Sequence, residues 1–206
     1  MIPLVDKTKK GTLILGYYRN GTHFLQDVIC DLNPGSAMHG EICHDNTIAE
    51  LEQLTQLGGA YRVCILNNTV PKFFLRNRQD LLSEWHVIHL TRTNKVNHFI
   101  SYWFWEQNTA QERFNNQGRF KHNNTDHSSY RAAVSKPPEY YSPSAVVAWL
   151  QEQLINYHIP CNTTLDYNEL PEYQTDNLNW TPNRYESIEL QDIVANHKEI
   201  ETLLTP

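Results

Sequence analysis

Short, continuously apolar runs alternate along this chain with stretches whose apolar residues return at helical spacing. Four runs, 12–15, 62–66, 87–90 and 161–165, read as strands. After the first, Phe24, Leu25, Val28, Ile29 and Leu32 fall on one face of a helix. After the third, Val96, Phe99, Ile100 and Trp103 recur at i, i+3, i+4 and i+7, with Thr93 or Asn94 placed to cap the helix start. Ser142-Pro143 opens another helix, Ser as N-cap and Pro at the first helical position. It runs to about residue 157 with Val147, Leu150 and Leu154 inward, and Pro160 stops it. The segment 188–204 is helical by periodicity, with Ile193, Val194, His197 and Leu204 on one side.

Such alternation predicts an α/β fold: a three-layer sandwich with a short central parallel sheet flanked by helices. The spacers between the first three strands are long enough for the crossovers that parallel pairing needs. One domain spanning 1–206 is expected. The pattern collapses between 107 and 141, a polar, asparagine-rich stretch with His122, His127 and Pro137-Pro138. Loops of that length in a compact domain are lids or surface excursions.

Composition narrows the class. A hydrophobic content of 40% and a mean hydropathy of −0.58 describe a globular domain. No apolar run approaches the roughly 20 residues of a membrane span. The three lysines within the first ten residues precede no apolar segment long enough for a signal peptide, so a cytoplasmic protein without membrane contact is expected. A net charge of −6 argues against a nucleic-acid polymer as partner and suits a single small anionic ligand held by a few local cations. Asn-x-Ser/Thr triplets such as Asn67-Asn68-Thr69 then read as compositional. Cys30, Cys43, Cys64 and Cys161 form no Cys-x-x-Cys pair and are expected reduced. His39, Cys43 and His44 lie close in sequence, but their spacing fits no familiar zinc pattern, and no metal is assigned.

The chemistry concentrates where the first strand meets its helix, in Gly16-Tyr17-Tyr18-Arg19-Asn20-Gly21-Thr22-His23. A strand, a tight glycine-bounded turn and a helix start leave backbone N–H groups aimed into the loop, and the helix dipole adds positive potential there. That is a site for a phosphate-like anion, and glycines at 16 and 21 would let the backbone approach it closely. The Gly-x4-Gly spacing is that of a Walker A loop. A kinase or NTPase would continue with Lys and Ser/Thr, where this chain has Thr22 and His23, and its one loop cation is Arg19.

That departure resembles the phosphosulfate-binding loop of the sulfotransferases that use 3′-phosphoadenosine 5′-phosphosulfate (PAPS). Arg19, Asn20, Gly21 and Thr22 stand in the places of the family's Lys or Arg, Ser, Gly and Thr. Asn20 replaces the usual Ser, and His23 a second Ser/Thr. A second element, strand 87–90 followed by Arg92, a helix and Ser101, is similar to the part of those enzymes that grips the donor's 3′-phosphate. Its spacing, with Lys95-Val96 inside, resembles the bacterial trehalose 2-sulfotransferase type. A weaker likeness lies at Tyr167-Asn168-Glu169-Leu170, and another at Asn196-His197-Lys198-Glu199-Ile200.

The resemblance implies a P-loop-NTPase-like sulfotransferase fold, PAPS as donor and PAP as product. It implies transfer to a hydroxyl of a small metabolite or saccharide. Arg19, Asn20, Gly21, Thr22 and His23 would then hold the phosphosulfate end, and Arg92 with Ser101 the 3′-phosphate, without a metal. In the trehalose-type enzymes a glutamate a little over twenty residues after the loop cation acts as base, and Glu41, twenty-two after Arg19, falls there. His39 and His44 are rival bases, since imidazole titrates near neutrality. Two alternatives stand: a non-catalytic nucleotide-binding domain of the same fold, favoured by Asn20 and His23, and a P-loop small-molecule kinase, disfavoured by the missing Lys and Ser/Thr.

Overall fold

The computed structural model describes residues 3–42, 47–67, 72, 75–114, 137–178 and 188–205. The chain divides into two compact units, 1–93 with 150–181 and 94–149 with 182–206.

The first unit is built on a wholly parallel sheet. Its strands are β1 (Gly11–Leu15), β2 (Ala37–Glu41), β3 (Arg62–Leu66), β4 (Trp85–Thr91) and β5 (Thr163–Asp166). They lie in the order β2-β3-β1-β4-β5. Helices α1 (Thr22–Leu32), α2 (Thr47–Gln56) and α3 (Gln79–Leu82) flank the sheet. Alternate side chains of each strand feed two cores. Leu13 and Leu15 join Cys64, Leu66 and Val87 with Leu51 and Leu54 of α2 and Leu81 and Leu82 of α3. Ile14 joins Val63, Ile65, Ile88 and Leu90 with Leu25, Val28 and Ile29 of α1. Strands covered on both faces must be apolar throughout, and β1 is buried at all five positions. The α/β class and the parallel sheet expected from the sequence are those observed.

A fifth strand was not legible. In β2, Ala37, Met38 and His39 are exposed and Gly40 and Glu41 only partly covered, so this edge strand carries no apolar signature. Its pairing with β3 slips between Met38 and Gly40. Opposite that slip the Val63 carbonyl accepts a hydrogen bond from Gln26 Nε2 at 2.8 Å, so a buried amide of α1 does what the edge strand leaves undone. Leu32, expected on the inward face of α1, is 55% exposed, because it sits in the helix's last turn beyond the sheet contact.

In the second unit, α4 (Lys95–Phe114) starts where expected, with Asn94 Oδ1 accepting from the Asn97 amide at 2.9 Å. Phe99, Ile100 and Trp103 are buried, as are His98, Ser101 and Phe104. The expected collapse at 107 is corrected: good helix formers such as Gln, Ala and Glu carry α4 on to Phe114. The rest of the expected lid, 115–136, lies outside the described residues.

Helix α5 (Pro143–Leu154) turns a different face inward from the one expected. Val147 and Leu154 are 38% and 54% exposed, while Val146, Trp149 and Gln153 are buried. Trp149 sets the phase, since its ring meets those of His98, Phe99 and Tyr102. The helix expected over 188–204 is two, α6 (Leu190–Ile193) and α7 (His197–Leu204). It breaks because the Ile193 carbonyl accepts from the Glu139 amide and the Ala195 amide donates to the Glu139 carbonyl. No described helix is long and apolar enough to cross a membrane.

Candidate active site

Chain leaving β1 next enters β2 on one side of the sheet, whereas chain leaving β4 next enters β5 on the other. Neighbouring strands that send their connections apart leave a crevice at their carboxyl ends, the usual place for a ligand in an open α/β sheet. The loop 16–21 closes β1 there, and Arg92 follows β4 directly.

The loop is fixed from two directions. From β4, the Leu90 carbonyl accepts from Asn20 Nδ2 at 2.8 Å, and Arg92 Nη1 donates to the Arg19 carbonyl at 3.0 Å. From beyond β3, the Lys72 ammonium hydrogen-bonds the Gly16 carbonyl. Arg19 is held at φ 70°, a left-handed conformation uncommon outside glycine and recurrent at functional loops. Its side chain is exposed.

The two glycines also make room for protein neighbours. A Cβ on Gly16 would stand 2.3 Å from Thr22 Cγ2, and one on Gly21, itself at φ 83°, 2.7 Å from Leu170 Cδ1.

Arg92 is 3% exposed and lies with its guanidinium carbon 4.0 Å from the ring centroid of Tyr167. Tyr167 opens a 3₁₀ turn, Tyr167–Tyr173, capped by Asp166. Asp166 also accepts from the Thr93 amide at 2.8 Å. The segment 167–170, singled out by its sequence, thus backs both elements: Tyr167 against Arg92 and Leu170 against Gly21. Ser101 is buried in α4 of the second unit.

Glu41 ends β2, and its Oε2 lies 3.9 Å from His23 Nε2. His23, just after the loop, therefore lies beside the candidate base. His39 is engaged elsewhere, its Nε2 2.9 Å from Glu50 Oε1 on the surface of α2. His44 and Cys43 lie outside the described residues, and no metal-capable cluster occurs among those described.

Two residues escaped the sequence reading. Lys72 is 1% exposed, and burial pushes its ammonium down to about 7, against the opposing pull of Glu41 and Glu152. Glu152 in turn accepts from the Tyr17 hydroxyl at 2.6 Å. Asn67, directly after β3, is buried; its Nδ2 reaches Thr22 Oγ1 at 3.4 Å and its Oδ1 has no hydrogen-bond partner among the described residues. No spacing rule would have found a lone lysine flanked by Val70-Pro71 and Phe73-Phe74. An asparagine ending an apolar strand did carry a signal, since that is where a carboxylate for magnesium would stand.

Lys72 makes stability depend on pH in a definite sense. Its folded pKa is depressed, so above about 7 the unfolded chain binds more protons and stability rises with pH toward the ordinary lysine range. Below that pH both states are protonated and the burial penalty is fully present. Urea denaturation at pH 7 and pH 9 should give Lys72→Met a stability gradient shallower by up to about 1.4 kcal/mol per pH unit. Equal gradients would mean the ammonium is not buried.

Comparison with family models, with characterised proteins and with solved structures finds no match for this chain.

Proposed function

We propose that this chain is a PAPS-dependent sulfotransferase of the P-loop-like type, acting on a hydroxyl of a small metabolite or saccharide. One observation carries the reading: two buried cations, Arg92 and Lys72, both hydrogen-bond carbonyls of the same loop. Burying two cations at a strand–loop–helix turn carries a desolvation cost, and a bound anion would offset part of it. A bisphosphorylated nucleotide is such a ligand.

Asn67 favours sulfuryl over phosphoryl transfer. A P-loop phosphotransferase holds magnesium between a loop hydroxyl and a carboxylate at the end of a neighbouring strand. Here the residue at the end of β3 beside Thr22 is a neutral amide, which offers a divalent cation no charge.

The donor supplies the sulfuryl group, and the roles of this chain's residues follow. The loop amides, Arg19 and Thr22 would hold the phosphosulfate end; Arg92 would hold the 3′-phosphate; Glu41 would take the acceptor's proton as the acceptor oxygen bonds to sulfur. Charge gathers on the phosphate oxygen as its bond to sulfur breaks. Lys72, protonated more fully once an anion is near, stands with Arg19 to stabilise it.

The His23–Glu41 pair favours a second reading, a nucleotide-binding domain without turnover, since it occupies both the loop substitute and the base. Calorimetric titration with PAP and with ADP, each with and without magnesium, tests the donor site. Metal-independent binding of PAP in preference to ADP is expected; magnesium-dependent preference for ADP would overturn the assignment. Transfer of radiolabelled sulfate from PAPS to a panel of saccharides and hydroxylated metabolites then separates enzyme from binding domain.

A further inference from the structure

At the amino ends of the strands, one sheet length from the β1 loop and therefore about 15 Å away, lies a cavity of about 320 Å³. Lys7, Lys9, Lys10 and Arg62 line it together with Asn33, Tyr61 and the turn 57–60, and no carboxylate among the described residues does. In a chain of net charge −6 that composition runs against the average. The volume is at the lower end of those that hold small ligands.

The turn beneath the cations is organised. Arg62 Nη1 donates to the carbonyls of Leu57 and Ala60, each at 3.2 Å, and its Nη2 to that of Gly58 at 3.1 Å. With its carbonyls gathered onto one guanidinium, the turn has three successive amides, Gly58, Gly59 and Ala60, that donate to no group among the described residues. Gly59 is at φ 102°, and nothing stands within 4 Å of where a Cβ on Gly58 or Gly59 would be. Successive unclaimed amides in a glycine turn are an anion-binding arrangement.

The cations are not explained by helix ends alone. α1 and α2 both finish near this pole, and Arg62 answers the carbonyls after α2 while Lys9 Nζ donates to the Ser83 carbonyl at 2.7 Å. Lys7 and Lys10 are exposed and form no ion pair among the described residues. The nearest carboxylate in sequence, Asp6, is occupied by Thr8, whose amide and hydroxyl donate to Oδ1 at 2.9 and 2.6 Å.

We propose that this cavity is a second anion site, remote from the β1 loop, which takes a compact polyanion with clustered phosphate or sulfate groups. Lys7 and Lys10 supply charge, the 58–60 amides supply directed donors, and Arg62 holds the turn open. The proposal stands whether or not the β1 loop carries sulfuryl transfer.

Titration of the labelled protein with tripolyphosphate, followed by amide NMR, tests it. Saturable shifts at Gly58, Gly59 and Ala60 are expected, unchanged when PAP is present in excess. The double variant Lys7→Ala, Lys10→Ala removes only exposed side chains and should weaken binding by about ten-fold or more. No saturable shift, shifts confined to 16–23, or equal affinity in the double variant would each overturn the proposal.

Discussion

Glu41→Gln is expected to lower sulfuryl turnover by about 10²–10⁴-fold, the usual contribution of a positioned general base, while PAP affinity and thermal stability stay near those of the native chain. The amide keeps the size and shape of the carboxylate but cannot accept a proton. Glu41 is partly covered, its side chain 22% exposed, and it ends the edge strand on the same pole of the sheet as the β1 loop. Its partner His23 is 49% exposed and 3.9 Å away, so solvent weakens that pair, and losing it should cost little stability. A parallel fall in turnover and in PAP affinity would instead make Glu41 a support for the loop through His23. His39→Gln serves as the comparison, because His39 is bound to Glu50 at the surface. If it alone removes turnover, the base is His39.

Arg92→Ala is expected to weaken PAP binding by about 10²–10³-fold, the range for truncating a buried, hydrogen-bonded charge that faces an anion. Burial strips the guanidinium of water, and its stacking on Tyr167 fixes the plane of the fork. The same side chain donates to the Arg19 carbonyl, so the variant also loosens the loop. Arg92→Lys separates the two effects: it retains charge but not the planar fork, and should bind with intermediate affinity. Thermal melting beside calorimetry shows whether each variant is folded. A folded Arg92→Ala protein with native affinity would remove Arg92 from the donor site.

The central strands that the sequence reveals are covered on both faces. β1 and β3 consist almost wholly of residues that the two cores demand, and their apolar runs could mean little else. β2 escaped because an edge strand with exposed Ala37, Met38 and His39 has no such demand placed on it. Helical phase was less secure: in α5 two adjacent valines competed, and packing around Trp149 chose Val146 over Val147.

The loop and Arg92 were visible because local sequence builds them. The contacts that Lys72 and Asn67 make were not, because they come from strand order. Only when β3 lies beside β1 do residues beyond its end meet Gly16 and Thr22. The glycines were visible as well, but that they also make room for Thr22 and Leu170 is a matter of tertiary packing.

The cross-tying of the β1 loop, by Asn20 and Arg92 to the β4 side and by Lys72 to the β3 side, also shapes how fast a ligand can be caught. A loop that must order itself adds a slow unimolecular step and an entropic penalty to each encounter. One already fastened on both flanks has neither. Capture should then proceed in a single second-order phase, steered by the exposed charge of Arg19, with residence time rather than arrival setting the affinity.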